Sequence, residues 1–179
     1  MKRQINIFDY SELIMKVLKE GVLITTKVGD KVNSMSVSWG MFGIEWGVPI
    51  FTIFVRENRF TRTQLDTNGE FTVNIPIGDY DKKIISYCGS RTGKDIDKTK
   101  DLKFTLVDSE IISVPGIKQL PLTLECDVIY KQFQDKDALP EEIRNKMYPE
   151  NVDSSNPGAN KDCHIAYYGE IVKAYIIEE

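Results

Sequence analysis

Apolar positions recur at two different periods along this 179-residue chain. Leu13, Ile14, Val17 and Leu18 fall at helical spacing, with Asp9 or Ser11 available as a cap and Gly21 suited to the left-handed residue after the end. A first helix of about three turns is therefore expected within roughly 9–20. From Gly21 the period drops to two. "GVLITTK", the turn cluster Val28, Gly29 and Asp30, and a second run through Trp39 read as a β-hairpin followed by a Gly-rich turn. "VPIFTIFVR" is apolar almost throughout, as a strand covered on both faces would be. It enters "ENRFTRTQLDTNG", a short helix with Asn58 as cap and Gly69 as stop, and "EFTVNIP" is a fourth strand. Helical spacing returns at Ile84, Ile85 and Cys88, after which "GSRTGKDIDKTK" is polar and Gly-rich enough to be a loop.

In the second half, 120–133 alternates well enough for one long strand approached through Pro115 and Pro121. A short helix is expected over 139–148 with Pro140 in its first turn, and "PENVDSSNPGANKD" reads as a loop. The β-branched and aromatic run "CHIAYYGEIVKAYIIEE" closes the chain as a strand. There is no internal repeat. Short strands with helices inserted between them predict a mostly β fold, a closed or nearly closed antiparallel β-barrel, rather than a doubly wound parallel sheet.

Size and charge narrow the picture. One domain over 1–179 is expected, since the length suits a single core. A net charge of −4 and pI near 5.2 provide no basic field for nucleic acid or an acidic membrane surface. Three widely spaced cysteines suggest neither a disulfide framework nor a zinc site. Charged residues interrupt the N-terminal apolar positions, and nowhere do about 18 apolar residues run together, so a cytoplasmic protein with no membrane span is expected.

Three segments carry candidate chemistry. In "KVNSMSVSWGMFG", alternation places Val32, Ser34, Ser36 and Ser38 on one face and Asn33, Met35, Val37 and Trp39 on the other. The nearly bare hydroxyl face either points at water or clears room for something flat. Trp39, Gly40, Gly43, Trp46 and Gly47 mix large rings with residues that permit close backbone approach, which suits a planar ligand. In "VRENRFTR", Arg56, Arg59 and Thr61 fall where a strand meets a helix start, a place that favours an anion. The alternative is that these arginines are solvated partners of Glu57 and Asp66. In "CGSRTGKDIDK", Ser90, Thr92 and Lys94 cluster beside Gly89 and Gly93. This is not a nucleotide triphosphate loop, because three residues rather than four separate the glycines and Asp95 follows the lysine. It is either a surface loop or a cradle for a monophosphate.

In this order, "NSMSVSWGMFG", "GVPIFTIFVRENRFTRTQL", "GEFTVNIP" and "CGSRTGKDIDK" resemble the flavin reductase-like family, and its flavoredoxin branch most closely. The resemblance spans about 21–98 and, more weakly, the closing strand; 106–161 shows no matching motif. It implies an FMN-binding split β-barrel of Greek-key type that works as a homodimer. By that resemblance Asn33, Ser34, Met35, Ser36 and Trp39, with Val37 and Ser38 between them, line the isoalloxazine. Arg56, Arg59 and Thr61 surround the phosphate. Ser90, Thr92, Lys94 and Lys98 belong to the loop that reaches the phosphate or ribityl chain. Ser36 stands where relatives more often have threonine, and Asn58 replaces a serine or proline.

The resemblance also implies an oxidoreductase that takes electrons from NADH or NADPH, or from a redox protein, and passes them through bound FMN to an acceptor. Such chemistry needs no protein nucleophile, general base or metal, which agrees with a single histidine. His164 and Cys163, as neighbours on a strand, point to opposite faces, so His164 is expected in the barrel wall, with a place near the flavin or the dimer partner as the alternative, and Cys88 is expected as a small buried hydrophobe, with a place close to the cofactor as the alternative. A protein that stores or senses FMN without turnover is the competing reading. An oligonucleotide barrel built on Trp39, Phe42, Trp46 and the arginines near Phe60 is opposed by the acidic balance. Two tryptophans and Phe42 in one Gly-rich turn point to an interface, consistent with a dimer.

Overall fold

The computed structural model describes residues 1–150, 153 and 162–178. Its centre is an antiparallel sheet of eight strands: β1 (Lys2–Gln4), β2 (Val22–Val28), β3 (Lys31–Val37), β4 (Gly40–Glu45), β5 (Val48–Arg56), β6 (Glu70–Ile75), β9 (Leu122–Phe133) and β10 (His164–Ile177). The spatial order is β3-β2-β6-β9-β10-β5-β4, with β1 added beside β10. A short pair, β7 (Leu106–Val107) and β8 (Gly116–Ile117), lies outside it. β3 and β4 are opposite edges of this order, yet only Ser38 and Trp39 join them. The sheet must therefore curl until its edges nearly meet, which makes an incompletely closed barrel with a seam between β3 and β4.

β10 organises the wall. It pairs with β9 over most of its length, with β5 over its first half and with β1 at its end. Its register slips beside Gly169, where an added Cβ would lie 2.5 Å from the Phe71 ring and 2.9 Å from Cys126 Cβ. The barrel interior is filled by Val22, Ile24, Phe51, Ile53, Phe71, Val73, Leu124, Ile165 and Tyr167. A second apolar cluster, Leu23, Ile84, Cys88, Phe104, Ile117 and Leu120, lies under α3 (Lys83–Ser90). The remaining helices are α1 (Ser11–Leu18), entered through a 3-10 turn at Ile7–Tyr10, α2 (Phe60–Thr67), α4 (Lys98–Asp101) and α5 (Glu141–Met147).

The expected mostly β barrel with inserted helices is what forms, but details differ. The run expected to reach Trp39 as a strand ends at Val37, and the segment read as a Gly-rich turn is a strand, β4, whose turn is at Trp46 (φ 52) and Gly47 (φ 78). Two glycines and the exposed Met41 and Ile44 blur its alternation. Asn58 does not cap α2: Arg59 takes that position without a side-chain bond, and the Asn58 N–H is bound to Asp162 Oδ2 at 2.9 Å. Gly69 does not stop the helix in the left-handed region; its carbonyl accepts the Val128 N–H at 2.7 Å as the chain enters β6. The loop expected over 89–100 ends at Asp97, whose carboxylate caps α4 through the Lys100 N–H. Most of the loop expected at "PENVDSSNPGANKD" lies outside the described residues. Among the described residues no helix is long and apolar enough to cross a membrane.

Candidate functional site

The two faces of β3 meet different neighbours. Asn33, Met35 and Val37 face the barrel and α2, which is anchored by Thr26 Oγ1 donating to Gln64 Oε1 at 2.6 Å and Gln64 Nε2 donating to the Lys31 carbonyl at 2.9 Å. Asn33 Nδ2 donates to Thr61 Oγ1 in the first turn of α2 at 3.0 Å. The serine face is covered by α3 and α4. Ser34 hydrogen-bonds Thr25 Oγ1 at 2.9 Å, and Gly89 lies so close to Ser36 Oγ that no Cβ fits between them. The small hydroxyl face thus packs against this chain's own helices, and the buried Ser34 lines neither of the hollows nearby. Ser36 and Ser38, nearer the open end, border empty space.

Two hollows adjoin at Met35, Ser36 and Arg59. The first, of about 280 Å³, lies between the β3 edge, the start of α2 and the loop after α3; it is lined by Asn33, Asn58, Arg59, Phe60, Thr61, Cys88, Gly89, Ser90, Arg91, Thr92, Gly93 and Lys98 besides the shared residues. No carboxylate lines it. Arg59 and Arg91 are exposed cations at its rim, with Arg91 lying over the Tyr87 ring. Lys98 is 4% exposed, and its Nζ donates to the carbonyls of Ser34 at 2.8 Å and Cys88 at 3.0 Å. Burial, reinforced by Arg59, lowers the Lys98 pKa, while burial raises the Cys88 thiol to about 11. α2 presents its N-terminal N–H groups here with no acidic residue in its first turn. Asn33 Oδ1 is buried without a hydrogen-bond partner, and Gly93 approaches it so closely that any side chain would collide.

The second hollow, of about 200 Å³, is lined by Val37, Ser38, Trp39, Phe54, Arg56 and His164 besides the shared residues. Trp39 and His164 rings are 4.8 Å apart. His164 Nδ1 is 2.6 Å from Tyr148 Oη. Burial first, then the charges of Arg56 and Arg59, push the His164 pKa down to about 4 against the opposing effect of Asp162. Arg56 is committed within the protein: Nη1 donates to the Asp162 carbonyl at 2.9 Å and lies 3.8 Å from its carboxylate.

The structure therefore brings Asn33, Met35, Ser36, Val37, Ser38, Trp39, Arg56, Arg59, Thr61, Ser90, Thr92 and Lys98 to one continuous depression. It does not bring Lys94, which is exposed and outside both linings, nor the Ser34 side chain. Of the ion pairs weighed as an alternative, Asp66 pairs with Arg62 and Lys131 rather than with Arg56 or Arg59. Arg91 and Phe54 join the lining without having been singled out for it, and His164, expected in the barrel wall or else near the flavin, lines the second hollow from the wall. For His164 the available signal was its place at the start of a strand predicted to pair in the barrel.

A split antiparallel barrel with a cation-rich hollow beside its β3 edge running into a ring-lined one defines the class of fold and site. The flavin reductase like domain matches residues 15–179, and the chain belongs to that family. Among solved structures, flavoredoxin of Desulfovibrio vulgaris (Miyazaki F) superimposes with a TM-score of 0.64 at 19% identity, covering 88% of this chain and 69% of that one. Nitrilotriacetate monooxygenase component B from Bacillus cereus gives a TM-score of 0.66 at 18% identity, covering 98% and 78%. A protein of Archaeoglobus fulgidus is 28% identical over 100 residues, 56% of this chain, and the match spans 55% of that relative's length. At these identities the structural likeness establishes the fold.

Proposed function

We propose that the protein is an FMN-binding oxidoreductase that receives electrons from NADH, NADPH or a redox protein and delivers them to a soluble acceptor. The observation that carries this reading is the first hollow: a buried lysine, two rim arginines and hydroxyls with no carboxylate among its lining, continuous with a hollow bordered by rings. A phosphomonoester carries about −1.5 to −2 charge and three strong acceptors, which suits this cation set and the free N–H groups of α2. The unpaired Asn33 Oδ1 and the Gly89–Gly93 cradle fit a ligand that carries hydroxyls next to its phosphate. In this reading Lys98, Arg59, Arg91, Thr61, Ser90 and Thr92 hold the phosphate end, while Met35, Ser36, Trp39, Phe54 and His164 hold the ring. Bound flavin supplies the electron chemistry by its own electronics. The chain's residues orient the ring, neutralise the phosphate and keep a neutral imidazole beside it.

A homodimer accompanies this reading. Trp46, Tyr130 and Tyr168 form a three-ring cluster with centroids 5.1 to 6.2 Å apart, and Trp46 remains 58% exposed at the end of a strand that also exposes Met41 and Ile44. An exposed apolar patch of this kind suits a second copy. Free thiols at Cys88, Cys126 and Cys163 fit the cytoplasm.

Calorimetric titration with FMN tests cofactor binding, and stopped-flow bleaching of the bound flavin by NADH or NADPH tests turnover. Tight binding and bleaching faster than that of free FMN are expected. Binding without faster bleaching by any donor supports storage or sensing instead, and no heat with FMN ends the flavin reading.

A further inference from the structure

The segment between β9 and β10 has no part in the phosphate hollow, yet it reaches the ring hollow through a hydrogen-bonded row. Gln134, one residue past β9, places Oε1 2.9 Å from Tyr148 Oη, and Tyr148, one residue past α5, lies 2.6 Å from His164 Nδ1. Tyr148 is 4% exposed and His164 6%. The protons in this row can be counted. A carboxamide oxygen only accepts, a phenol has one hydrogen, and a neutral imidazole carries a hydrogen on one nitrogen alone. Pairing both contacts requires the phenol to donate to Gln134 and the imidazole Nδ1–H to donate to the phenol oxygen. Burial keeps the phenol protonated by raising its pKa, and burial first, then Arg56 and Arg59, oppose a second proton on the imidazole. Nε2 then carries a lone pair, has no hydrogen-bond partner among the described residues, and is the nitrogen left to the hollow that His164 lines.

We propose that Tyr148 is a positioning residue which, with Gln134, fixes His164 as the Nδ1–H tautomer, so that the hollow offers an Nε2 acceptor to an N–H group of the ring bound there. The tautomer half stands on the protein alone; the ligand half rests on the flavin reading above.

The chain contains one histidine, so the long-range proton–nitrogen spectrum of 15N-histidine-labelled protein reports His164 without assignment. In ligand-free protein at pH 7, a protonated Nδ1 and an unprotonated Nε2 are expected. Tyr148→Phe removes the acceptor and should shift the proton to Nε2. Gln134→Lys, at a half-buried position, replaces an acceptor with a donor and should produce the same shift while keeping the phenol. A wild-type Nε2–H pattern, or both variants retaining the wild-type pattern, overturns the proposal even if stability falls. Adding FMN should move the Nε2 resonance upfield, and Tyr148→Phe should weaken FMN binding about five- to tenfold. FMN binding that leaves Nε2 unmoved overturns the ligand half. A wild-type protein that binds no FMN overturns the flavin reading and the ligand half with it, while the ligand-free spectrum still decides the tautomer.

Discussion

The two hollows share Met35, Ser36 and Arg59 but are held in shape by different means. The first is fixed within one stretch of chain, by buried side-chain hydrogen bonds and close backbone approach: Lys98 ties α4 to the Ser34 and Cys88 carbonyls, Asn33 ties β3 to Thr61 of α2, and glycines press the loop against Asn33 and Ser36. The second is fixed by side chains from distant segments, with Trp39, His164 and Tyr148 in ring contact and Arg56 bound to the Asp162 carbonyl. A stiff cationic end is suited to a ligand part that never changes, and a ring-lined end assembled from separate segments is suited to tuning.

The sharpest way to break this comparison is Lys98→Met. It removes the buried charge and leaves two carbonyls without their donor, so FMN affinity should fall about 30- to 1,000-fold, roughly 2–4 kcal/mol, while riboflavin, lacking the phosphate, loses far less. Calorimetry with both ligands checks it; equal losses would mean that the first hollow does not read phosphate. Next in size is the pH response of the second hollow. His164 titrates near 4 in the folded protein and at its ordinary value of 6.5 once unfolded. The unfolded chain therefore binds the extra proton first. The stability this residue contributes is complete above about pH 6.5 and is lost as pH falls towards 4, on the order of 2–3 kcal/mol. Urea midpoints at pH 7.5 and 4.5 should separate more in wild type than in His164→Gln. The smallest effect is Gly93→Ala, whose Cβ meets Asn33 Oδ1: about 1–2 kcal/mol of stability should be lost, with Trp39 fluorescence unchanged because the second hollow is untouched. A shifted Trp39 spectrum would show the two hollows to be one mechanical unit.

How much of this was legible follows the same division. The residues of the first hollow come from one stretch, 33–98, where hydroxyls, glycines and cations keep their order along the chain and the turn chemistry is local. Alternation sorted the faces of β3 correctly but had no means of showing that α3 and α4 cover the serine face. It also could not tell Lys94 from Lys98, because what buries Lys98 is the turn of helix begun by the Asp97 cap. β4 was hidden by glycines that weaken its pattern. Tyr148 and Gln134 were invisible for a different reason: a contact between side chains on a docked excursion has no period and no motif, and only packing places them beside His164.

The two rims of the curled sheet carry unequal protection. β3 is sheltered by helices and by the very loop that shapes the cationic hollow, whereas β4 exposes Met41 and Ile44, and the turn after it Trp46, with Glu45 as the only charge of the strand. Unshielded main-chain groups beside apolar side chains invite strand-to-strand accretion. Any tendency of the purified chain to self-associate into aggregates should therefore begin at the 40–47 hairpin.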